Sequence, residues 1–334
     1  FTVTVTAVND VPTLDQPGDV TIDEDASEQT VDLSGISAGG GESQPLRVTA
    51  SSNNTGLIPD PTVVYTSADA TGSLKFTPVA DQSGSAVITV VVEDGGLDND
   101  LSTTGDNATT TLTFTVTVNA VNDEPTLDQP GDVTIDEDAS EQTVNLTGIF
   151  AGGGESQRLS VTASSSDIGL IPNPTVIYTS ADAIGSLKFT PVADQSGTAV
   201  ITVIVEDGGL DDDLSTTADN LTVTKTFTVT VNPINDSPTV DLQDDVEIDE
   251  DSPEVSLLLT GITAGGGESQ PLKVTATSDN LSLIANPAVD YTSAELTGLV
   301  RFTPVADQSG TAVITISVED GGLDGDLTTP GDNL

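Results

Sequence analysis

Apolar and polar residues alternate along most of this chain, with the period of two that is typical of β-strands. In one clear example, Leu112, Phe114, Val116 and Val118 are separated by threonines. Turn-forming residues separate such runs, and no segment has helical periodicity. The alternation predicts seven strands in the first third of the chain, near residues 20–22, 29–36, 45–51, 62–67, 72–78, 85–93 and 109–120.

One sequence unit recurs along the whole chain. FTVTV begins at Phe1, Phe114 and Phe227, a constant spacing of 113 residues, and IDED, AGGGESQ, ADQSG and VEDGGL recur at the same spacing. Each unit ends in VND or IND close to a proline, which cannot continue a strand ladder. We therefore predict that residues 1–10 are the last strand of a preceding repeat, that repeats occupy 11–123 and 124–236, and that 237–334 form a third repeat without its last strand.

Seven short strands in about 110 residues are typical of a Greek-key β-sandwich of the immunoglobulin type. The predicted fold class is therefore all-β, with tandem seven-stranded sandwiches in an elongated array. Aromatic residues are few, and we expect Tyr65, Phe76, Phe114 and their copies to anchor the cores.

Composition narrows the possible chemistry. The chain has 54 acidic and 7 basic residues, for a net charge of −47, which disfavours nucleic acid and anionic membranes as partners. It contains no Cys, His, Trp or Met, so thiol and histidine catalysis are excluded, and we expect no enzymatic activity. Any metal site must use oxygen ligands, which points to calcium or magnesium. No run approaches the roughly 20 apolar residues of a membrane span.

The acidic residues fall in loops that would meet where one sandwich follows another. If strands alternate in direction, the loops after strands one, three and five lie beside the outgoing linker, and the loops after strands two, four and six face the preceding repeat. Calcium, with six to eight oxygen ligands, would turn the repulsion between these groups into a rigid joint. The candidate ligands are Glu24, Asp25, Asp81, Asn122, Asp123, Glu155, Asp207, Asp211 and Asp213 at the first junction, Glu137, Asp138, Asp194, Asn235, Asp236, Glu268, Asp320, Asp324 and Asp326 at the second, Asn9, Asp10, Glu42, Asp98 and Asp100 at the incoming edge, and Glu250 and Asp251 at the outgoing edge.

The linker VND-x-P, the early I-x-ED and the late VEDGG together resemble the cadherin-like tandem repeats of giant bacterial surface proteins. The resemblance covers all three copies. It implies an extracellular sandwich, calcium at the linkers and a role in adhesion or as a stalk. Carried over, the early-loop acid is Glu24, Glu137 and Glu250, and the acid facing the preceding repeat is Asp98, Asp211 and Asp324. The linker pair falls on Asn9 and Asp10, Asn122 and Asp123, and Asn235 and Asp236. The full linker motif of the related animal cadherins, D-x-N-D-N, is not present, because Ala120 and Pro233 occupy part of it.

Two further motifs have alternative readings. D-x-D-L-[ST]-T, which begins at Asp98, Asp211 and Asp324, resembles the start of a calcium loop but lacks the later Gly and Glu of an EF-hand, so it is a metal loop or an exposed acidic hairpin. GGGES is no phosphate loop, because neither a helix nor GK[ST] follows it.

We therefore predict a secreted, cell-surface structural or adhesive array, a stalk or fibre stiffened by calcium. The alternative is a set of glycan- or protein-binding modules, for which Phe150, in place of Ser37 and Thr263, is the one departure between copies that stands out. The expected partners are calcium, neighbouring repeats and other copies in a fibre, head-to-tail or lateral. Residues 1–8 could complete the third sandwich of another chain, or the sequence could be a window on a continuous fibre.

Overall fold

The computed structural model describes residues 1–103, 105–216, 218–329 and 331–334. Those residues form strands and no helix, so the predicted all-β class is confirmed. None of them belongs to a helix that is long and apolar enough to cross a membrane.

The first repeat has the seven predicted strands. They are β1 (Val20–Asp23), β2 (Gln29–Leu33), β3 (Leu46–Ser52), β4 (Thr62–Val64), β5 (Gly72–Phe76), β6 (Gly84–Asp94) and β7 (Thr109–Asn119). The largest differences are at β2 and β4, each of which ends three residues earlier than the alternation predicts. β2 stops at Leu33 because Gly35 adopts a positive φ of 65°, which breaks the extended backbone. β4 stops at Val64 because a turn follows, closed by the Asp69 amide donating to the Thr66 carbonyl at 2.9 Å.

The second repeat has the same set of strands, and the third has a shorter one. The second contains β8 (Val133–Asp136), β9 (Gln142–Thr147), β10 (Leu159–Ser165), β11 (Thr175–Ile177), β12 (Ile184–Phe189), β13 (Gly197–Asp207) and β14 (Thr222–Asn232). The third contains β15 (Val255–Leu259), β16 (Leu272–Ser278), β17 (Ala288–Asp290), β18 (Gly298–Phe302) and β19 (Ile314–Asp320).

Each complete repeat is built from two sheets. In the first repeat, one sheet has the order β1-β7-β6-β3 and the other has the order β2-β5-β4. β1 runs parallel to β7, while the other neighbours are antiparallel, so the strands alternate in direction as predicted. β8 and β14 repeat the parallel pairing, with Val133 opposite Val229.

The apolar faces of these sheets form a separate core in each repeat. The buried residues of the three cores lie between Leu14 and Val118, between Leu127 and Val231, and between Leu259 and Val300. The proposed repeat boundaries therefore fall between cores. Phe76 and Phe114 are buried as predicted, whereas Tyr65 is only half-buried and packs against the first core from its edge.

Within the described residues, the third repeat contains five strands, two fewer than each of the others. The counterpart of the four-stranded sheet contains only β16 and β19. Residues 246–249 occupy the position of β1 and β8 in the sequence unit, yet they form no strand. In the first two repeats, the corresponding strands β1 and β8 pair with β7 and β14.

Candidate metal centre at the junctions between repeats

The linker between the first and second repeats is held from both sides. On the upstream side, the Val121 amide donates to Glu24 Oε1 at 2.8 Å. On the downstream side, Asn122 Nδ2 donates to Asp207 Oδ1 at 2.9 Å and to the Asp219 carbonyl at 2.8 Å. One short segment thus connects the end of one sandwich to the start of the next.

The glycine loop before Glu155 is shaped to receive this linker. A Cβ built on Gly153 would lie 1.9 Å from Asp123 Oδ2, and one on Gly152 would lie 2.4 Å from the Glu124 carbonyl oxygen. Both glycines have positive φ, at 41° and 100°. Only glycine allows this backbone path and this close approach together. The loop ends at Glu155, whose Oε2 accepts a hydrogen bond from the Asp123 amide at 3.2 Å.

Asp123 is the common member of two carboxylate groups. In the first, Asp123 has oxygen atoms within 4.8 Å of Glu24 and Glu155. In the second, its oxygen atoms are equally close to those of Asp25 and Asp81. The first group therefore draws one residue from each of the two repeats and one from the linker.

The second junction repeats this geometry. The two carboxylate groups there are Glu137, Asp236 and Glu268, and Asp138, Asp194 and Asp236. Asn235 Nδ2 donates to Asp320 Oδ1 at 3.1 Å, and the Asp236 amide donates to Glu268 Oε2 at 3.1 Å. The two junctions thus use equivalent residues for the same contacts.

These carboxylates lie together without basic partners. Every ion pair in the described part of the chain involves other acids, mostly on exposed strand faces. Burial, followed by the nearby charges of Asp81, Asp25 and Glu24, raises the pKa of Asp123 above its ordinary value. Burial also raises the pKa of Glu155. The cause is the same for Asp236 and Glu268 at the second junction, where burial is the largest contribution to the raised pKa values.

Several acceptor oxygens at each junction are buried and have no hydrogen-bond partner among the described residues. At the first junction they include Asp123 Oδ2, Gln157 Oε1 and Asp207 Oδ2. Asp207 is fully buried, as are its copies Asp94 and Asp320. A buried carboxylate oxygen without a donor is costly unless a cation neutralises it. An all-oxygen, negatively charged donor set of this kind fits a hard divalent cation such as calcium.

Some of the hydrogen bonds of the two junctions also occur at the incoming and outgoing edges. At the incoming edge, the Asp10 amide donates to Glu42 Oε2 at 3.2 Å, and Asn9 Nδ2 donates to Asp94 Oδ1 at 3.1 Å. At the outgoing edge, the Asp307 amide donates to Asp251 Oδ1 at 3.1 Å, while Glu250 is exposed. Neither edge forms a carboxylate group like those of the two junctions within the described residues.

The D-x-D loops do not join these groups. The Thr103 hydroxyl donates to Asp98 Oδ2 at 2.6 Å, and the Ser102 amide donates to Asp100 Oδ1 at 2.9 Å. The Ser102 hydroxyl and amide lower the pKa of Asp100. The same bonds to the following Ser or Thr recur in the other two copies, at Asp211 and Asp213 and at Asp324 and Asp326. A ligand role for these six residues stays a prediction.

The structure also assigns roles that the sequence did not indicate. Asn122 Nδ2 donates to two acceptors, and its Oδ1 accepts a hydrogen bond from Gln157 Nε2. A ligand role for Asn122 stays a prediction. Gln157 and the Asp219 carbonyl are therefore part of the junction. The recurrence of glutamine at the end of every AGGGESQ motif was the available signal for this contact.

The fold and the site together define a class: tandem β-sandwich repeats with acidic junctions. No family model matches the chain, and no curated protein matches it. Similar solved structures include mouse cadherin-23 EC22-24, with 12% identity, a TM-score of 0.44 and 94% of each chain covered. Others are the human desmocollin-1 ectodomain (13%, 0.31, covering 92% of this chain and 56% of that one) and domains 4–9 of surface layer protein SbsC (16%, 0.26, 93% and 46%). The fold class rests on the strands and cores described above and not on these values.

Proposed function

We propose that this chain is an extracellular structural or adhesive repeat array, a stalk or fibre, in which calcium ions fix successive β-sandwiches relative to one another. The observation that supports this function best is the group formed by Glu24, Asp123 and Glu155. A cation bound there touches the first repeat, the linker and the second repeat at once, so its binding energy is available only when the three parts are in contact.

The spacing of the oxygens suits calcium. Calcium binds oxygen at about 2.3–2.6 Å, so two ligands on opposite sides of one ion lie roughly 5 Å apart. The carboxylate oxygens of each junction group lie within 4.8 Å of one another. Calcium also tolerates irregular shells that include carbonyl oxygens and water, whereas magnesium requires a near-ideal octahedron.

The shared aspartate suggests two ions at each junction. Asp123 belongs to both carboxylate groups, and a carboxylate has two oxygens that can bind separate cations. In this proposal, Asp123 bridges one ion held by Glu24 and Glu155 and another held by Asp25 and Asp81. Without cations, the carboxylates repel one another and the junction loses its fixed geometry.

Substitution of the shared aspartate tests this proposal. Asp123→Asn removes a charge from both groups and should weaken calcium binding at the first junction at least tenfold, or about 1.4 kcal/mol, in isothermal titration calorimetry of the 334-residue chain. The matched control is Asp32→Asn, which removes one charge from the exposed face of β2, outside the groups. Equal affinities for both variants and the parent, or no calcium binding by the parent, would contradict the proposal.

The structural consequence has its own measurement. Chelation should lower the melting temperature of the parent and broaden the distribution of dimensions in small-angle scattering, and added calcium should reverse both effects. An extracellular module suits a weak affinity, on the order of 0.1–1 mM. The binding-module alternative stays a prediction, and glycan-array or pull-down binding that persists in chelator would favour it.

A further inference from the structure

The second repeat has an apolar patch on its surface that the other two repeats lack. The patch consists of Phe150, Ile177 and Ile184, which are 58%, 50% and 66% exposed. At a spacing of 113 residues, the equivalent positions are Ser37, Val64 and Thr71 in the first repeat and Thr263, Asp290 and Thr297 in the third. All three repeats form the same three-stranded sheet, so the fold does not require these apolar residues.

The side chains of the patch lie next to one another on the outer face of the sheet β11-β12-β9. Ile184 is paired with Thr147 at the end of β9, and its exposed side chain points away from the core. Phe150 follows on the same segment between two buried residues, so it points outward as well. Ile177 is opposite Ser186, two residues from Ile184 on β12, and such diagonal neighbours are about 7–8 Å apart. The patch is therefore continuous.

Exposed carboxylates border the patch. Glu124 and Asp128 lie on either side of Thr126, whose amide donates to the Phe150 carbonyl at 2.8 Å. Asp182 lies between β11 and β12. None of the ion pairs formed by the described residues includes any of these acids. Glu124, Asp128 and Asp182 together form the acidic border of the patch.

The charge of the chain decides which kind of partner fits this surface. A second copy would bring another net charge of −47 to the acidic border, and such charge keeps copies apart. Six of the seven basic residues, moreover, already form ion pairs within the chain: Arg47, Lys75, Arg158, Lys188, Lys273 and Arg301. The complementary partner has both basic and apolar side chains and comes from a different protein.

We propose that the apolar patch of the second repeat docks a basic polypeptide segment of another protein. Apolar side chains of that segment contact the patch, and its lysines or arginines pair with the acidic border. Clustered apolar residues with a polar rim are typical of interaction sites, and aromatic residues such as Phe150 often anchor them. This inference goes beyond the calcium function and does not depend on it.

The first repeat supplies the substitutions that test the patch. Phe150→Ser with Ile184→Thr introduces the residues found at these positions in that repeat, and both side chains are exposed, so the variant should melt as the parent does. The probe is a fluorescent peptide of alternating arginine, leucine and phenylalanine, measured by anisotropy at physiological salt, where screening limits non-specific attraction. The variant should bind about tenfold more weakly than the parent. Equal affinities would overturn the proposal.

Two controls separate the patch from the overall negative charge. A peptide of arginine alone should bind the parent and the variant equally, and a difference as large as that for the mixed peptide would argue against apolar contact. Val11→Glu with Ser37→Phe and Thr71→Ile rebuilds the patch on the first repeat and should add a second site for the mixed peptide in calorimetry. An unchanged stoichiometry would contradict the assignment of these residues.

The choice of partner has its own test. In sedimentation velocity without peptide, the parent should remain a 33.9 kDa monomer as its concentration rises. A dimer that disappears in the Phe150→Ser, Ile184→Thr variant would overturn the proposal and assign the patch to a second copy. Glu124→Ser, which introduces the residue of the third repeat, should weaken binding of the mixed peptide and reduce its salt dependence. An unchanged salt dependence would remove the acidic border from the site.

Discussion

The second and third repeats share one sequence pattern, yet they differ in how completely their sheets close. The second contains β14, and with it β8 becomes a strand and the centre of β13 is fully buried. In the third, the corresponding residues Ile314, Ile316 and Val318 are only half-buried, and residues 246–249 form no strand. The two regions therefore show one sequence pattern with a partner strand on both sides of β13 and with a partner on one side of β19.

This difference shows that two strands of the sandwich depend on each other. Residues 246–249 read VEID and residues 133–136 read VTID, so both alternate as strands do. Only the second segment is extended against a partner. Strand propensity is thus insufficient for the first strand of a repeat, because its backbone hydrogen bonds come from the last strand, almost a full repeat later in the sequence.

The largest effect on the difference between these repeats is expected from weakening β14, the final strand of the second repeat. Phe227→Ala removes a side chain that is 2% exposed and should destabilise that repeat by about 3–5 kcal/mol. Differential scanning calorimetry should show the second repeat unfolding near the temperature of the third. Thr226→Ala, on the exposed face of the same strand, should stay within about 0.5 kcal/mol of the parent. Equal effects of both changes would argue against a core role for Phe227.

A smaller effect is expected where the second repeat receives the linker. Gly153→Ala places a methyl group against Asp123 Oδ2 and should cost about 1–3 kcal/mol in unfolding free energy. Gly154→Ala is the control, since its φ is also positive, at 74°, but nothing lies within 4 Å of the added carbon. The difference between the two variants in urea unfolding measures the close contact apart from backbone strain. Similar losses in both would indicate strain alone.

Removing one charge at equivalent positions compares the second junction, where two repeats meet, with the outgoing edge of the third repeat. Glu137→Gln keeps an oxygen acceptor for the Ile234 amide but removes a charge from the second junction, and it should weaken calcium binding there at least tenfold, about 1.4 kcal/mol. Glu250→Gln makes the same change at the outgoing edge, where the residue is exposed. It should leave the calorimetric isotherm unchanged. A loss of equal size at both positions would mean that no neighbouring repeat is needed for binding.

Much of the fold could be predicted from the sequence, because alternation and turn residues are local signals. The strand ends needed backbone detail, such as the positive φ of Gly35 that stops β2. The site was harder to predict. Spacing placed Asp123, Asp211 and Asp213 in one candidate set, but Asp211 and Asp213 accept hydrogen bonds from Thr216 and Ser215 in their own loop. Local side-chain acceptors compete with long-range contacts, and the D-x-D-x-[ST] spacing is the signal for that competition.

The smallest expected effect is the pH dependence of the junctions in chelator. The pKa values of Asp123, Glu155, Asp236 and Glu268 are raised in the folded chain, chiefly by burial. The folded state then binds their protons more tightly than the unfolded state does. Without calcium, their contribution to stability should therefore increase as the pH falls from neutral through the raised pKa values, and level off below the ordinary values of 3.8 for Asp and 4.5 for Glu.

With saturating calcium the opposite pH dependence is expected. Stability should decrease as the pH falls, because protons compete with the cation for the same oxygens. The measurement is the melting temperature between pH 7 and pH 5, with chelator and with saturating calcium. The groups are largely accessible to solvent, which screens their charges, so this effect should be smaller than those of the substitutions above. Asp123→Asn with Asp236→Asn is the control and should flatten both profiles. A parent in chelator that loses stability on acidification, or whose profile is as flat as that of the double variant, would show that the junction carboxylates do not repel one another.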